Sequence, residues 1–413
     1  MERLDGLQKA LFEAAPSLPA DSPIVRRWQK AGFLRHTDEV AYLRDLVRER
    51  VRDLACGDGP RPLVLTIGLT NRCNFACPYC FQNNLGYGMS VEVQDAIVDL
   101  VTERLATGGY DKLEISWFGG EPLLEMGAIE RMSERLIPLA DAHGIPYKAM
   151  IHTNGYLLDQ SAADLLEHCR VRNVLVTLDG LRETNDATRR PKVGGGSFDR
   201  IVRNLTTIRT DMKIIVRCNL HKGNIDELDD LKGLVNDIAR SSGNNIRLRP
   251  AAVRLTPASK ERFDKTEAVS DDQFAKVASD FGISERRQKF LPTLVPCPVM
   301  RLNELYVDAD GSIFPNCNFE ATVPARALGN VLDGDPLDWE ALAELVFERY
   351  SFPDGHPECL ACKKLVCCYG GCAAWRLDRG YHHCPELLDD PDGFVLRCYY
   401  ASAQGRTEAS TSC

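Results

Sequence analysis

The chemistry in this chain is concentrated in its cysteines. Sixteen of its 413 residues are cysteine, and three of them form the run Cys73-x3-Cys77-x2-Cys80 within LTIGLTNRCNFACPYCFQ. The run directly follows an apolar stretch with strand character. A loop leaving the C-terminal end of a strand can wrap three thiolates around one face of an iron–sulfur cubane. Three protein ligands leave the fourth iron open, and an open position is what a metal site needs to bind and activate a small molecule. Zinc or a four-cysteine ferredoxin cluster would want a fourth ligand nearby, and no cysteine follows before Cys169. Nine more cysteines lie between Cys297 and Cys398, while Cys56, Cys169, Cys218 and Cys413 stand apart. By pattern Cys169 falls on a helix and Cys218 on a strand, where a lone cysteine reads as a small buried hydrophobe.

Something must hold the first run in place, and the sequence after residue 61 supplies a scaffold. Short β-rich runs at Leu63–Leu69, Lys112–Phe118, Tyr147–His152, Asn173–Leu178, Met212–Asn219 and Asn245–Leu248 alternate with helical stretches. These stretches are Ser90–Leu105, Glu125–Ala142, Asp159–His168, Phe198–Arg209 and Ile225–Ala239. Six strands separated by helices imply parallel βαβ units with right-handed crossovers. Six units are too few for a closed eight-stranded barrel. The expected fold class is therefore α/β, a partial (β/α)6 TIM-like barrel, open and curved, with its ligand at the C-terminal strand ends.

Residues 1–60 read as an N-terminal helical extension, because Val40, Leu43, Val47, Val51 and Leu54 recur at three- and four-residue steps. Residues 61–255 carry the barrel pattern, and residues 256–290 are polar and charged, as a bridging segment would be. In residues 291–413 the alternation stops and Pro, Gly and Cys become dense. That composition fits a small Cys-rich C-terminal cluster-binding domain stapled by metal.

Cys73-x3-Cys77-x2-Cys80, with Tyr79 before the last cysteine, resembles the signature of the radical SAM superfamily. Further matches follow in order. Gly119-Gly120-Glu121 ends the second strand and resembles the family's GGE element, whose backbone and carboxylate hold the methionine amino group of S-adenosylmethionine (SAM). His152-Thr153-Asn154-Gly155 ends the third strand. Thr177-Leu178-Asp179-Gly180 ends the fourth and resembles the SLDG element, with Thr for Ser. Asp186-x2-Arg189 resembles HDxxR, with Asn185 in place of the His. The resemblance implies SAM contacts from Gly119, Gly120, Glu121, Asn154, Thr177 and Arg189, a guanidinium being suited to a planar carboxylate. It covers residues 62 to about 250. It implies a [4Fe–4S] cluster on Cys73, Cys77 and Cys80 that reduces SAM to methionine and a 5′-deoxyadenosyl radical.

Cys359-x2-Cys362-x5-Cys368-x3-Cys372, with Gly370-Gly371, resembles the core of the SPASM domain, and Cys297-x13-Gly311-x5-Cys317 resembles its first half. The family usually has four residues between that Gly and the next Cys; here there are five. The resemblance implies two auxiliary [4Fe–4S] clusters, one on Cys359, Cys362 and Cys368, the other on Cys297, Cys317 and Cys372. Cys384 and Cys398 compete for the closing roles, and Cys367 is redundant beside Cys368. By spacing alone, a pair of zinc sites is the competing reading.

SPASM enzymes mostly modify peptides. The expected function is thus a radical SAM maturase that oxidatively modifies a ribosomally made precursor peptide, through a thioether or carbon–carbon crosslink. A sulfatase-maturase-like conversion of Cys or Ser to formylglycine is the alternative, and a non-catalytic iron–sulfur carrier is the alternative of another class. Lys30-Ala31-Gly32-Phe33-Leu34 and the helix after it are similar to the leader-proximal region of peptide maturases; a plain helical cap on the barrel is the other reading. Expected partners are the peptide and an electron donor such as flavodoxin or ferredoxin. A net charge of -9 argues against a nucleic-acid role. No apolar run approaches the roughly 20 residues of a membrane span. The N-terminus lacks a secretory h-region, so the expected location is cytoplasmic. No residue stands out as a general base; Asp179, Glu304 and Asp308 are conceivable.

Overall fold

The computed structural model describes residues 39–350, apart from residues 58, 83–84, 254–258, 260–262, 265–266, 282–297, 318–319 and 335–336. Cys297, Cys359, Cys362, Cys368, Cys372, Cys384 and Cys398 lie outside the described residues, as do residues 1–38 of the extension. Among the described residues no helix is long and apolar enough to cross a membrane.

Six parallel strands form in chain order, β1 (Arg61–Gly68), β2 (Tyr110–Phe118), β3 (Tyr147–Thr153), β4 (Val171–Thr177), β5 (Lys213–Leu220) and β6 (Ile246–Ala252). Helix α1 (Glu39–Cys56) precedes them. The crossovers carry α2 (Val91–Ala106), α3 (Met126–Ala142), α4 (Gln160–His168), the pair α5 (Arg182–Thr188) and α6 (Phe198–Thr207), and α7 (Leu228–Ser242). Local chemistry sets these limits. The Ser90 hydroxyl accepts from the Val93 N–H at 3.2 Å to start α2, and Asp159 accepts from the Ala162 N–H at 2.9 Å to start α4. Gly243, at φ 73°, ends α7 in the left-handed region. On each strand alternate residues pack under the helices, as with Leu63, Leu65 and Ile67 or Leu113, Ile115 and Trp117. The intervening residues line the concave face.

The sheet does not stop at six strands. After α8 (Asp271–Asp280), β7 (Glu304–Val307) pairs in parallel with β1 on the side away from β2. β8 (Ser312–Pro315) and β9 (Gly329–Asn330) extend it antiparallel, giving the order β6-β5-β4-β3-β2-β1-β7-β8-β9. Leu305, Val307 and Ile313 are fully buried in the same core as the barrel helices. The start of the Cys-rich region is thus held by apolar burial as well as by whatever its cysteines bind. Leu305→Ala should therefore cost about 3 kcal/mol. Chemical denaturation should show one cooperative transition moved to lower denaturant, rather than a separate early step.

Helix α9 (Trp339–Tyr350) lies against α1. Val47, Val51, Leu54 and Ala55 of α1 are buried, and Arg48 pairs with Glu344 at 3.1 Å and Glu348 at 2.9 Å. Arg104 of α2 is buried at this junction, stacked 3.7 Å from the Trp339 ring centroid and donating to the Ala55 carbonyl at 2.9 Å. From Arg44 onward the described part of the extension is a packed cap.

Candidate active site

The loop from Leu69 to Met89 leaves the C-terminal end of β1 and is fastened on two sides. On the β2 side, the Leu69 N–H donates to the Phe118 carbonyl at 3.0 Å, and the N–H groups of Gly120 and Glu121 donate to the carbonyls of Thr70 (2.7 Å) and Arg72 (2.9 Å). On the far side, the Ala76 N–H donates to the Arg190 carbonyl at 2.9 Å and the Lys192 N–H to that of Asn74 at 2.8 Å. Two glycines permit the first set. Gly119 has φ 127°, and a Cβ on it would lie 2.6 Å from the Thr70 oxygen; a Cβ on Gly120 would overlap the Arg72 carbonyl. Gly120→Ala should therefore displace the cysteine loop and cost about 2 kcal/mol or more. Lower iron content after reconstitution and a lower melting temperature would both report it.

Glu121 is fully buried. Its Oε1 accepts from the Thr153 hydroxyl at 2.6 Å and the Leu123 N–H at 3.1 Å, and its Oε2 from the Asn154 N–H at 2.7 Å. Burial still leaves its pKa above the ordinary value. The carboxylate thus stitches the end of β2 to the end of β3, and the backbone of Gly119–Gly120 remains as the wall facing the loop. Asn154 carries the stitch onward, its Nδ2 donating to Asn74 Oδ1 at 2.6 Å, beside Cys73.

Cys73, Cys77 and Cys80 are half-buried thiols on this loop and form no disulfide. Burial pushes Cys73 up to about 11 and Cys77 up to about 12; the Phe75 N–H on Cys73 and the Arg189 charge near Cys77 pull the other way. Iron ligation reverses such a shift, because the bound form is the thiolate.

Opposite them, Arg189 is buried, with its Nη1 donating to the Tyr79 hydroxyl at 3.0 Å and lying 4.0 Å from Asp179 Oδ2. The Tyr79 hydroxyl donates to Asp179 Oδ2, and Asp179 Oδ1 accepts from the Asn219 N–H at 3.0 Å. Asp179, conceivable from sequence as a base, is fully buried and held in these contacts. It ties the cysteine loop to the ends of β4 and β5. Asn185, standing where the resemblance expects His, is also fully buried, its Oδ1 accepting from the Asp179 N–H at 3.2 Å and its Nδ2 donating to Ser197 at 2.9 Å. Asp186 Oδ1 accepts from the N–H groups of Ser197 and Phe198 at 2.8 Å each and so anchors α6. Thr177 ends β4 half-buried beside this group, in register with Arg217.

A set of aromatic rings floors the mouth. Phe118 stacks on Phe81 with ring centroids 6.2 Å apart, and meets His152 at 5.2 Å and Tyr306 at 6.3 Å edge-on. Burial, with Arg217 adding to it, drops His152 to about 4, so its imidazole is neutral. Phe81, Phe118 and Tyr306 carry no motif, and sequence reasoning missed them; Phe81 adjoining Cys80 was the available signal.

These residues fit a cubane with SAM. Three thiols share one loop, and Arg189 Nε is a buried donor with no partner among the described residues. Among the described residues no three Cys, His, Asp or Glu side chains converge tightly enough for a single metal ion. A cubane instead places each thiolate on a separate iron. Of the expected auxiliary ligands only Cys317 is described; it follows β8, beside Asn316, whose Oδ1 accepts from Thr66 of β1 at 2.9 Å.

Comparison with known proteins agrees with this geometry. Mycofactocin maturase MftC of Mycobacterium ulcerans (strain Agy99) is 29% identical over 365 residues, 83% of this chain and 90% of that protein. Fe-coproporphyrin III synthase of Methanosarcina barkeri (strain Fusaro / DSM 804) is 28% identical over 207 residues, and the match spans 49% of its length. The solved structure of native anSMEcpe with bound AdoMet and Cp18Cys peptide superposes with a TM-score of 0.55 at 21% identity, over 76% of this chain and 90% of that one, which shows the shared fold. The family model described as Radical SAM superfamily matches residues 67–235, from the end of β1 into α7. The cysteine loop and the strand-end elements that grip it thus sit inside the part of the chain that matches the radical SAM superfamily.

Proposed function

We propose that this chain is a maturase that reductively cleaves SAM and oxidatively modifies a ribosomally made precursor peptide. The observation that carries the reading is the loop of Cys73, Cys77 and Cys80 facing a buried Arg189 whose Nε has no partner among the described residues. The chemistry that a cluster and SAM supply when bound there is one-electron cleavage of SAM to methionine and a 5′-deoxyadenosyl radical. In this reading Arg189 holds the SAM carboxylate, Gly119 and Gly120 offer backbone to its amino group, and Thr177 and Asn154 border the same space. Phe81, Phe118, neutral His152 and Tyr306 line the floor with uncharged rings that help exclude water, which a reactive carbon radical requires. The N-terminal helix packs on α9, and residues 1–60 are the extension proposed to meet the peptide leader.

The peptide substrate is supported by the maturase that aligns over 90% of its own length and by a like-folded protein solved with a peptide. The cysteines from Cys297 to Cys398 are proposed to hold two auxiliary clusters that return the surplus electron to a flavodoxin- or ferredoxin-like donor. Anaerobic, reconstituted protein incubated with dithionite and SAM should release 5′-deoxyadenosine. If reduced, iron-loaded protein releases none, the proposal fails. Co-expression with each short open reading frame beside the gene, followed by mass spectrometry of the peptide, should show a loss of two hydrogens per crosslink formed.

A further inference from the structure

The concave face of β5 and β6 carries a row of cations. On β6, Ile246 and Pro250 are buried and Leu248 packs on the core, on the side covered by α7. Arg247 and Arg249 alternate onto the opposite face. On β5, Ile214, Val216, Cys218 and Leu220 enter the core, leaving Lys213, Ile215, Arg217 and Asn219 on that same opposite face. The parallel register sets Arg217 directly across from Arg249, and Ile215 across from Arg247.

Like charges directly opposite one another weaken a strand pair. The chain as a whole carries an excess of acid, -9 net, so this cluster of cations is not a reflection of composition. The row is also continuous with the site already described. Arg217 Nε donates to Asn219 Oδ1 at 2.8 Å, and Asn219 Nδ2 lies 3.4 Å from the Tyr79 hydroxyl of the cysteine loop. From there the guanidiniums run outward to β6, which is the last strand of the sheet.

The spacing selects the ligand. Residues two apart on a strand are separated by roughly 6.5 Å, and neighbouring strands by about 4.8 Å. Arg247 and Arg249 therefore match carboxylates at alternate positions of an extended chain, and a guanidinium fork suits each one. We propose that Arg217, Arg247 and Arg249 form a docking row for an extended acidic segment of the peptide substrate, which lays its reactive residue toward the mouth of the barrel. This rests on the peptide-maturase reading above.

The test uses the full, anaerobically reconstituted chain and two fluorescein-labelled peptides, one of alternating Glu and Ser, the other of alternating Gln and Ser. Fluorescence anisotropy should show the Glu peptide binding to the wild type, weakening as salt is added. The double variant R247Q/R249Q should lose at least about tenfold in that affinity, corresponding to roughly 1.4 kcal/mol. Its melting temperature should stay close to that of the wild type, because both side chains are exposed. Three results would overturn the proposal. They are equal affinity of the Glu peptide for wild type and variant, equal affinity of the Gln peptide, and a variant that melts several degrees lower, which would mark the row as structural. A wild type that fails to bind the Glu peptide, because the acidic stretch at residues 386–392 or a second copy of the chain fills the row, also overturns it. Release of 5′-deoxyadenosine by the wild type is scored separately. Its absence defeats the maturase reading and leaves the docking result to stand or fall on its own.

Discussion

Replacing Cys73, Cys77 and Cys80 together by Ala should abolish 5′-deoxyadenosine release and lower the iron content by about four atoms per chain, the complement of one cubane. The iron remaining should be that held by the C-terminal cysteines. The size of the effect follows from geometry: all three ligands come from one loop, and no other described cysteine lies on it. The fold should survive, since the loop is fastened through backbone groups of Leu69, Gly120, Glu121, Ala76 and Lys192 rather than through sulfur. Circular dichroism matching the wild type, together with lost turnover, is the expected pair of results. Full loss of iron would instead mean that the auxiliary sites do not form independently.

Asp179→Ala should be the most damaging single change away from the cysteines. Asp179 and Arg189 are both buried, with side chains 0% and 7% exposed, and stand 4.0 Å apart. Removing the carboxylate leaves a buried guanidinium with the Tyr79 hydroxyl and the Phe75 ring beside it but its carboxylate partner gone, and leaves the Asn219 N–H without its acceptor. Breaking a buried pair in this way costs about 3–5 kcal/mol. Because Arg189 is also the proposed holder of the SAM carboxylate, SAM affinity should fall by more than about tenfold. Tyr79→Phe separates the two effects: it keeps Asp179 and Arg189 in place, so stability should drop by only about 1 kcal/mol. If Asp179→Ala unfolds at the same denaturant concentration as the wild type, the buried pair is not holding the barrel mouth.

Much of this could be read from local pattern. The strands were visible because apolar residues alternate or run continuously, and the first five fall within a few residues of their expected limits. The sixth was read as Asn245–Leu248 but runs Ile246–Ala252, because Arg249 and Pro250 break the apolar signal while the β5 ladder continues beside them. β7 left no such trace. It is four residues long, and its partner β1 lies some 240 positions away, at pairs such as Leu65 with Leu305. The strand-end residues were likewise legible as motifs, but their partners were not. Tyr79 meets Asp179 across 100 positions, and Glu121, which the motif assigns to the ligand, also ties Thr153 and Asn154. Spacing identifies which residues gather at a barrel mouth. It does not reveal which of them hold one another.

The pairing of β7 with β1 bears on how this protein can be divided. β1 is an inner strand, hydrogen-bonded on both sides, and it ends in the cysteine loop. A piece cut to residues 61–255 would strip away one of those partners and turn β1 into a bare edge rich in Leu, Val and Ile. Such an edge invites pairing with another chain. The loop that gathers the iron would then spring from the strand most prone to aggregation, so a minimal version of this barrel has to keep the β7–β8 hairpin.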